Sequence, residues 1–535
     1  MTAAELRPLP SRLAAALVFL ASGAVLVLEV VGLRLVAPYV GVTLQTSSAV
    51  IGVALASIAY GAWTGGWLAD RFDPRRLLAP TLLLAAAATA VTLPIVRIVG
   101  AWLRGVDPGS ILLLAAVTLF LPAALLSAVT PFVIKLQLGD LSRTGRVVGR
   151  LSSIGTLGGI TATLGTGFVL VAALPTTTIV LCVAGVLAAA GIGIALVTGP
   201  RGRNPFARRG GVGGGGVGGG GVGDGAGRSR PPGPPAAVVA VVGIAGAVLA
   251  VAAPNPCDVE TAYHCALVTV DDQRPGGRTL WLNSARHSYV DLDDPTHLEF
   301  AYTRWIGAAI DVLVEPGRPI DALHVGGGGF TLPGYLAATR PGTDNLVLEL
   351  DAGLVELDRA RLGLRSGPDL RVVTGDARVH LVRQPDASRD LVIGDAFGHL
   401  VVPWHLATRE FAAQIRRVLR PGGVYALNLI DRPPTRFAPA ELATVAAAFR
   451  HVALVAPPAA LAREESANFV VLASAEPLPL AALREALAGT TLEGMPVDDA
   501  GQQARLIEGE ELRRFIGSAQ VLTDDYAPVD QLLGS

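Results

Sequence analysis

Charge is scarce in this sequence of 535 residues, and lysine is nearly missing from it. The four charged residue types make up 16% of the chain, whereas 51% of the residues are hydrophobic and the mean hydropathy is +0.50. Such a composition excludes an ordinary soluble protein of this length and indicates that part of the chain lies in a membrane. The single lysine, Lys135, reflects a general use of arginine, from which no chemistry follows.

The sequence also lacks an excess of positive charge, because its formal net charge is -1 and its pI is near 6.7. Proteins that bind nucleic acids neutralise phosphates with a large basic field. We therefore expect no nucleic-acid partner.

Cysteine is rare as well, with three residues in the whole chain. Cys182 falls in an apolar run, while Cys257 and Cys265 flank the entry to the part of the chain that reads as soluble. The last two form either a disulfide, as in an oxidising compartment, or a pair of buried thiols. Although His264 is adjacent to Cys265, no four-ligand spacing is present, so no metal site is predicted.

Long apolar runs dominate the first part of the chain. A helix needs roughly 20 apolar residues to cross the hydrocarbon of a bilayer. The first run has no small-residue cleavage site and is followed by further spans, which argues against a cleavable signal peptide. We predict a transmembrane domain of six helices over residues 1–199. The runs lie near 13–36, 47–69, 77–99, 110–134, 151–174 and 176–198.

A segment rich in glycine and proline follows at residues 200–235. It cannot bury enough apolar area to offset the entropy of ordering it, which predicts a flexible linker. Residues 236–253 form a seventh apolar run that is close to the lower length limit for a span. We predict a seventh transmembrane helix there and a soluble α/β domain over residues 254–535.

Arginines are concentrated in alternate loops of the predicted bundle. By the positive-inside rule these loops face the cytoplasm, so the chain is a multi-pass protein of the cell membrane in contact with the lipid bilayer. Six spans return the chain to the cytoplasm, whereas a seventh carries the soluble domain to the opposite side, and the sequence leaves both arrangements open. The arginines are Arg71, Arg75 and Arg76 after the second run, Arg143, Arg146 and Arg150 after the fourth, and several in the linker.

Strand-like and helix-like segments alternate in the soluble part. Cys265 to Val270 and Thr279 to Leu282, on either side of Pro275-Gly276-Gly277, predict a small amino-terminal β-hairpin. The later alternation predicts an open, mostly parallel sheet of the Rossmann-like kind, which binds ligands beyond the carboxyl ends of its strands. Its predicted strands are 322–325, 345–350, 370–373, 390–393, 424–430 and 469–473.

Four successive strand ends carry glycine or a carboxylate. The first strand meets Gly326, Gly327, Gly328 and Gly329, where backbone N–H groups can approach a ligand closely. This turn lacks the last glycine of the full dinucleotide fingerprint, so it is weak evidence taken alone.

Acidic residues follow the ends of the second, third and fourth predicted strands. Glu349 and Asp351 end the second strand, where an acid usually binds ribose hydroxyls. Asp376-Ala377 follows the third strand and Asp395 the fourth. We predict a shared ligand site, although each acid could instead cap a helix, because aspartate favours that position.

Several of these motifs, in this order, resemble the spermidine synthase (polyamine aminopropyltransferase) family. More particularly, the chain is similar to bacterial proteins in which that domain follows a multi-span membrane segment. The motifs are Glu260-Thr261-Ala262-Tyr263-His264, Val325 to Gly329, Leu348 to Asp351, Gly375-Asp376-Ala377, Leu391 to Asp395 and the ending Leu522 to Val529.

The resemblance implies transfer of an aminopropyl group from decarboxylated S-adenosylmethionine, as a co-substrate, to a polyamine-type amine. The glycine turn, Glu349 and Asp351 would hold the nucleoside, and Asp376 with Ala377 would meet the adenine. Asp395 matches the general base of the family, which accepts a proton from the attacking amine. No tightly bound cofactor is expected, and a homodimer is compatible with the resemblance.

The chain departs from the family at positions that bind the amine groups. Tyr263-His264 replaces a tyrosine-glutamine pair, Tyr302-Thr303-Arg304 replaces a Tyr-His-Glu element, and Gly329 replaces an aspartate. Gly398 stands where the family has a second carboxylate after its base. Tyr263, His264 and Tyr302 are the predicted substrate-binding residues. Two alternatives remain open: an S-adenosylmethionine-dependent methyltransferase, and a non-catalytic nucleotide- or polyamine-binding domain coupled to a transporter-like bundle.

Overall fold

A computed structural model of the chain describes residues 9–103, 107–138, 143–198, 244–246, 248–249, 252, 255–398, 401–490 and 504–533. It divides into two compact units, one helical and one α/β, and the α/β unit includes everything from Asn255 onward. This arrangement confirms the predicted fold class, a segment of apolar helices followed by a Rossmann-like α/β fold.

Among the described residues, six helices are long and apolar enough to cross a membrane, in agreement with the six predicted runs. Glycines let these helices approach closely. A Cβ on Gly61 would collide with the backbone of Ala124, and one on Gly158 would collide with that of Phe19. The helices are Ser11–Val40, Leu44–Arg71, Pro74–Trp102, Pro108–Gln137, Thr144–Ala173 and Thr176–Val197.

The predicted linker, residues 200–235, lies outside the described residues, as does most of the predicted seventh helix, residues 236–253. Both assignments and the domain boundaries that depend on them therefore stay predictions.

The α/β unit begins with a small antiparallel sheet in the order β1-β2-β3-β4. The predicted hairpin forms its centre, since Ala266 pairs with Leu282 and Val270 with Arg278. Of the two alternatives for the cysteines, the structure has the disulfide, which joins Cys257 to Cys265. The strands are β1 (Val259–Glu260), β2 (Cys265–Val270), β3 (Gly277–Leu282) and β4 (Ala285–Asp291).

The main sheet has eight strands in the order β12-β10-β11-β9-β8-β5-β6-β7. Within β5 to β9 every pair of neighbouring strands is parallel. The pairs β9 with β11, β11 with β10, and β10 with β12 are antiparallel. The strands are β5 (Asp321–Val325), β6 (Asp344–Glu349), β7 (Leu370–Thr374), β8 (Arg389–Gly394), β9 (Leu419–Asp431), β10 (His451–Ala456), β11 (Ala467–Ser474) and β12 (Arg505–Glu508).

Helices cover both faces of this sheet because successive side chains along each buried strand point to opposite sides. Leu323 and Val325 pack into one core cluster with Phe411, while Ala322 and Ile393 pack into another with Trp305. The helices are Ala301–Leu313, Thr331–Thr339, Ala352–Arg361, Ala377–Leu381, Arg409–Val418, Phe437–Ala448, Pro458–Leu461, Leu480–Ala488, Gly509–Ile516 and Val529–Leu532.

Candidate active site

The four strand ends singled out in the sequence lie side by side. Strands β8, β5, β6 and β7 are consecutive neighbours in the main sheet and are parallel, so their carboxyl ends meet at one edge. Backbone hydrogen bonds continue across these ends: the N–H of Asp395 donates to Val325 O at 2.9 Å, and that of Gly375 to Glu349 O at 2.8 Å. The chain therefore brings its predicted ligand-binding segments to one place.

The glycine turn after β5 adopts a backbone that favours glycine. Gly326 has a φ of 96° and Gly328 a φ of 51°, both in the left-handed region. A Cβ on Gly326 would also collide with the carbonyl oxygen of Asp395. These glycines therefore allow the tips of β5 and β8 to approach each other closely.

Glu349, at the end of β6, is buried and directed at this turn. Its Oε2 accepts a hydrogen bond from the Gly327 N–H at 2.7 Å, and its Oε1 accepts one from the Asp351 N–H at 2.8 Å. Oε2 also accepts a longer hydrogen bond from the Gly328 N–H at 3.4 Å, so the direction left for a ligand hydroxyl is on Oε1, because each carboxylate oxygen has about two lone-pair directions. Glu349 thus supports the glycine turn and keeps acceptor capacity.

Both carboxylate oxygens of Asp351 are engaged by other groups of the protein. One oxygen caps the helix Ala352–Arg361 by accepting from the Gly353 N–H at 3.0 Å. The other accepts from the hydroxyl of Thr261 and lies 3.2 Å from His264 Nδ1. Burial alone would raise the pKa of Asp351, but the hydrogen bonds of His264 and Thr261 lower it below the usual range.

Asp376 is partly exposed and also caps a helix, since its Oδ1 accepts from the Arg378 N–H at 2.8 Å. Its Oδ2 lies 3.3 Å from Nε2 of His405, which follows Trp404 in the loop after β8. Ala377 is buried in the core. The Asp376 carboxylate therefore remains partly exposed at this edge of the sheet, whereas the side chain of Ala377 is not.

Asp395 has the contacts expected of a carboxylate that takes part in proton transfer. Its Oδ2 accepts from the Tyr302 hydroxyl at 2.9 Å, and its Oδ1 accepts from Asn428 Nδ2 at 2.8 Å. Burial raises the pKa of Asp395 to about 6, although the hydrogen bonds from Asn428 and Tyr302 oppose this rise. A carboxylate that titrates close to neutral pH can both accept and release a proton.

The predicted substrate-binding residues lie at two of these acids. Tyr302 contacts Asp395, as described above, and His264 contacts Asp351. Tyr263 is half exposed, and its ring centroid lies 6.4 Å from that of His264. Among the described residues, Tyr302 is therefore the one of the three that touches the candidate base.

The departures from the family pattern have structural explanations at two positions. Arg304 turns back toward the residues that precede its helix, where its Nη1 donates to the carbonyl oxygens of Leu298 and Glu299. Gly398 pairs with Val401, with its N–H donating to Val401 O at 2.8 Å. Neither residue supplies a carboxylate to the cleft.

Four residues of this region were missed by the sequence reasoning. Asn428 and Asn468 come from β9 and β11, and Asn468 Nδ2 donates to Asn428 Oδ1 at 2.9 Å behind Asp395. Ser288 and His287 come from β4, and Gly329 N–H donates to Ser288 Oγ at 3.0 Å. For Asn428 and Asn468 the available signal was a single polar residue inside an apolar strand pattern. The mostly polar sequence of β4 offered no such signal for Ser288 and His287.

Asp358 is a further unpredicted acid near the site. It is completely buried in the helix Ala352–Arg361, and neither carboxylate oxygen has a hydrogen-bond partner among the described residues. Burial, followed by the charges of Glu349 and Asp351, raises its pKa to about 9. Asp358 is therefore a neutral acid at pH 7.

Comparisons with known proteins bear on this site. No family model matches the chain. The chain is 28% identical over 251 residues to the polyamine aminopropyltransferase of Vibrio vulnificus, a match that covers 46% of this chain and 79% of that protein. It is 28% identical over 153 residues to the polyamine aminopropyltransferase of Chromobacterium violaceum, covering 28% of this chain and 57% of that one. A probable spermidine synthase from Corynebacterium glutamicum aligns in structure with a TM-score of 0.46 and 28% identity, over 50% of this chain and 95% of the other.

Proposed function

Because the α/β domain of this chain belongs to the spermidine synthase family, we propose that it transfers the three-carbon amine chain of a sulfonium nucleoside to an amine nitrogen. The donor that the family relationship implies is decarboxylated S-adenosylmethionine, and the acceptor is a polyamine-type amine. The one observation that carries the proposal is Asp395, held by Tyr302 and Asn428 beside the glycine turn.

The reaction assigns one step to Asp395. The lone pair of the acceptor amine attacks the chain carbon bonded to the sulfonium, a new C–N bond forms, and the C–S bond breaks with its electron pair going to sulfur. The attacking nitrogen becomes a more acidic ammonium, and the Asp395 carboxylate takes its proton. The hydrogen bonds from Tyr302 and Asn428 fix the orientation of the carboxylate for this transfer.

The nucleoside is assigned to the neighbouring strand tips. The Glu349 carboxylate, already placed by Gly327 and Asp351, accepts hydrogen bonds from the ribose hydroxyls. Asp376, whose carboxylate is partly exposed beside His405, meets the amino group of the adenine. Asp351 contributes by orienting Glu349 and the helix Ala352–Arg361, and not by touching the nucleoside.

The acceptor side of the cleft is proposed to use Tyr302, Tyr263 and His264. A polycation is favourable in a cleft only when carboxylates compensate the loss of its hydration. Since Gly398 and Arg304 supply none, the acceptor has fewer ammonium groups in the cleft than a long polyamine has.

The experiment is a product analysis of the full-length protein, purified in detergent. The protein is incubated with decarboxylated S-adenosylmethionine or S-adenosylmethionine and a panel of monoamines, diamines and triamines, and new amines are identified by mass. We expect an amine heavier by the transferred chain. An amine heavier by a methyl group would establish methyl transfer, and no new amine with any pair would favour a non-catalytic binding domain.

The pH dependence of this reaction is a first prediction. Asp395 must be ionised to act as a base, and burial raises its pKa to about 6, so the rate should fall about tenfold per pH unit below that value. Asn428→Leu removes a donor that lowers the pKa, so the acidic limb should move to higher pH. A profile recorded for both proteins tests this, and an unchanged limb in the variant would contradict the role of Asn428.

The proposal also places the domain relative to the membrane. Six apolar helices indicate insertion in a bilayer. Disulfides persist on the oxidising side of a cell membrane and are rare in the cytosol. The bond between Cys257 and Cys265 therefore favours the far side for the α/β domain, which the predicted seventh span would require.

A pair of carboxyl-terminal fusions provides the test of this second prediction. Alkaline phosphatase, which folds only under oxidising conditions, should be active in the fusion, and a fluorescent protein exported through the same route should stay dark. The opposite pair of results would place the domain in the cytoplasm and would require reduced Cys257 and Cys265.

A further inference from the structure

The position after the third glycine of the turn differs from the family in a way that the structure explains. An aspartate is expected there from the family pattern, and this chain has Gly329. A Cβ on Gly329 would lie 2.9 Å from the Cβ of Ser288, closer than side-chain atoms pack. Ser288 thus occupies the space of the missing side chain, and its Oγ accepts the Gly329 N–H at 3.0 Å.

The neighbour of Ser288 brings a further polar group to the same place. His287 Nδ1 lies 3.1 Å from Ser288 Oγ, and its ring atoms Cε1 and Nδ1 would be 3.1 and 3.3 Å from a Cβ on Gly328. Strand β4 therefore brings a hydroxyl and an imidazole to the glycine turn where the family has a carboxylate. An imidazole donates hydrogen bonds and becomes a cation on protonation.

The attacked carbon must lie next to Asp395, whose backbone adjoins the glycine turn, so the free end of the transferred chain would reach these two replacements. In decarboxylated S-adenosylmethionine this end is an ammonium alone, which needs an anionic partner when it leaves water. In S-adenosylmethionine the same carbon also bears a carboxylate, so the end is a zwitterion. A carboxylate gains from imidazole and hydroxyl donors and would be repelled by an aspartate.

We infer that the donor site prefers S-adenosylmethionine with its carboxylate over the decarboxylated nucleoside, and that His287 determines this specificity. The inference rests on the proposed function and changes the transferred group from aminopropyl to 3-amino-3-carboxypropyl. The amine forms a bond to the same carbon, the C–S bond breaks, methylthioadenosine leaves with the electron pair, and Asp395 takes the proton. The product is an amino acid joined through its side chain to the acceptor nitrogen.

Calorimetric titration of the full-length protein in detergent tests the preference. S-adenosylmethionine should bind at least about tenfold more tightly than its decarboxylated form. His287→Gln should remove most of this preference, whereas the affinity for methylthioadenosine, which lacks the chain, should stay the same. His451→Gln, at the start of β10, is the matched control and should leave all three affinities unchanged.

A double variant tests the converse. Ser288→Gly with Gly329→Asp clears the space and restores the carboxylate, so it should reverse the preference in favour of the decarboxylated nucleoside. The inference is overturned if the wild type binds both donors equally or prefers the decarboxylated one. In that case, transfer from decarboxylated S-adenosylmethionine to an amine would still support the proposed function. Loss of methylthioadenosine binding in His287→Gln would also overturn it, since the residue would then support the fold of the site. If no nucleoside binds, the proposed function itself fails.

Discussion

Replacement of Asp395 by asparagine is expected to lower the turnover rate by roughly 10²- to 10⁴-fold, the usual contribution of a general base. Asparagine keeps the size of the side chain and can still contact Tyr302 and Asn428, but its amide cannot take a proton from the attacking amine. The rate is measured with saturating donor and acceptor, so that the chemical step and not binding is compared.

Two further measurements separate catalysis from folding in this variant. The affinity for methylthioadenosine should be unchanged within about twofold, because Asp395 is not assigned to the nucleoside. Asp272→Asn, in the exposed turn between β2 and β3, is a matched control that should retain full activity. An Asp395→Asn protein that turns over at the wild-type rate would show that the carboxylate is not the base.

Replacement of Glu349 by glutamine should weaken nucleoside binding by about 10- to 100-fold. The glutamate accepts N–H bonds with both oxygens, from Gly327 and Asp351, and in the proposal accepts the ribose hydroxyls as well. A glutamine amide has one acceptor oxygen, so its NH₂ group must face a backbone N–H and one hydrogen bond is lost. The affinity for methylthioadenosine, measured by calorimetry, reports the loss.

The control for Glu349→Gln is a glutamate in the helix Ala352–Arg361, which follows it. Glu356 is exposed, pairs with Arg359 and has no contact with the glycine turn, so Glu356→Gln should bind the nucleoside as the wild type does. If Glu349→Gln also binds normally, the nucleoside lies elsewhere and the assignment of the strand tips to it is incorrect.

The fold was largely predictable because its signals are periodic. Apolar runs long enough to cross a bilayer are conspicuous in any sequence, and the five parallel strands read as short apolar segments between helical ones. The strands that were missed lack such a signal. Strand β4 (Ala285–Asp291) is mostly polar, β12 (Arg505–Glu508) is four residues long, and β10 (His451–Ala456) reads equally well as a helix segment.

The candidate site was predictable in position more than in detail. Parallel pairing brings residues at strand ends to one edge, so Glu349, Asp376 and Asp395 could be placed together from the sequence. The direction of each side chain depends on neighbours far away in the chain. Thr261 and the helix cap engage Asp351, and Asn428 reaches Asp395 from β9, which no local pattern could indicate.

The disulfide and the glycine turn illustrate the same limit. The sequence left Cys257 and Cys265 open between two states, because the spacing of cysteines does not decide whether β1 and β2 bring them together. From the sequence alone, Gly329 indicated only that the family's aspartate is absent. Only the approach of β4 reveals that Ser288 and His287 replace it.

The nucleoside released during turnover tests the central claim most directly. Breaking the bond between sulfur and the three-carbon chain leaves methylthioadenosine, whichever of the two donors is used, whereas methyl transfer from S-adenosylmethionine leaves S-adenosylhomocysteine. Chromatography of the reaction of the full-length protein with donor and amine should show methylthioadenosine, formed only when the amine is present and lost in Asp395→Asn. Release of S-adenosylhomocysteine instead would contradict the account. Methylthioadenosine that forms equally fast without the amine and in Asp395→Asn would also contradict it.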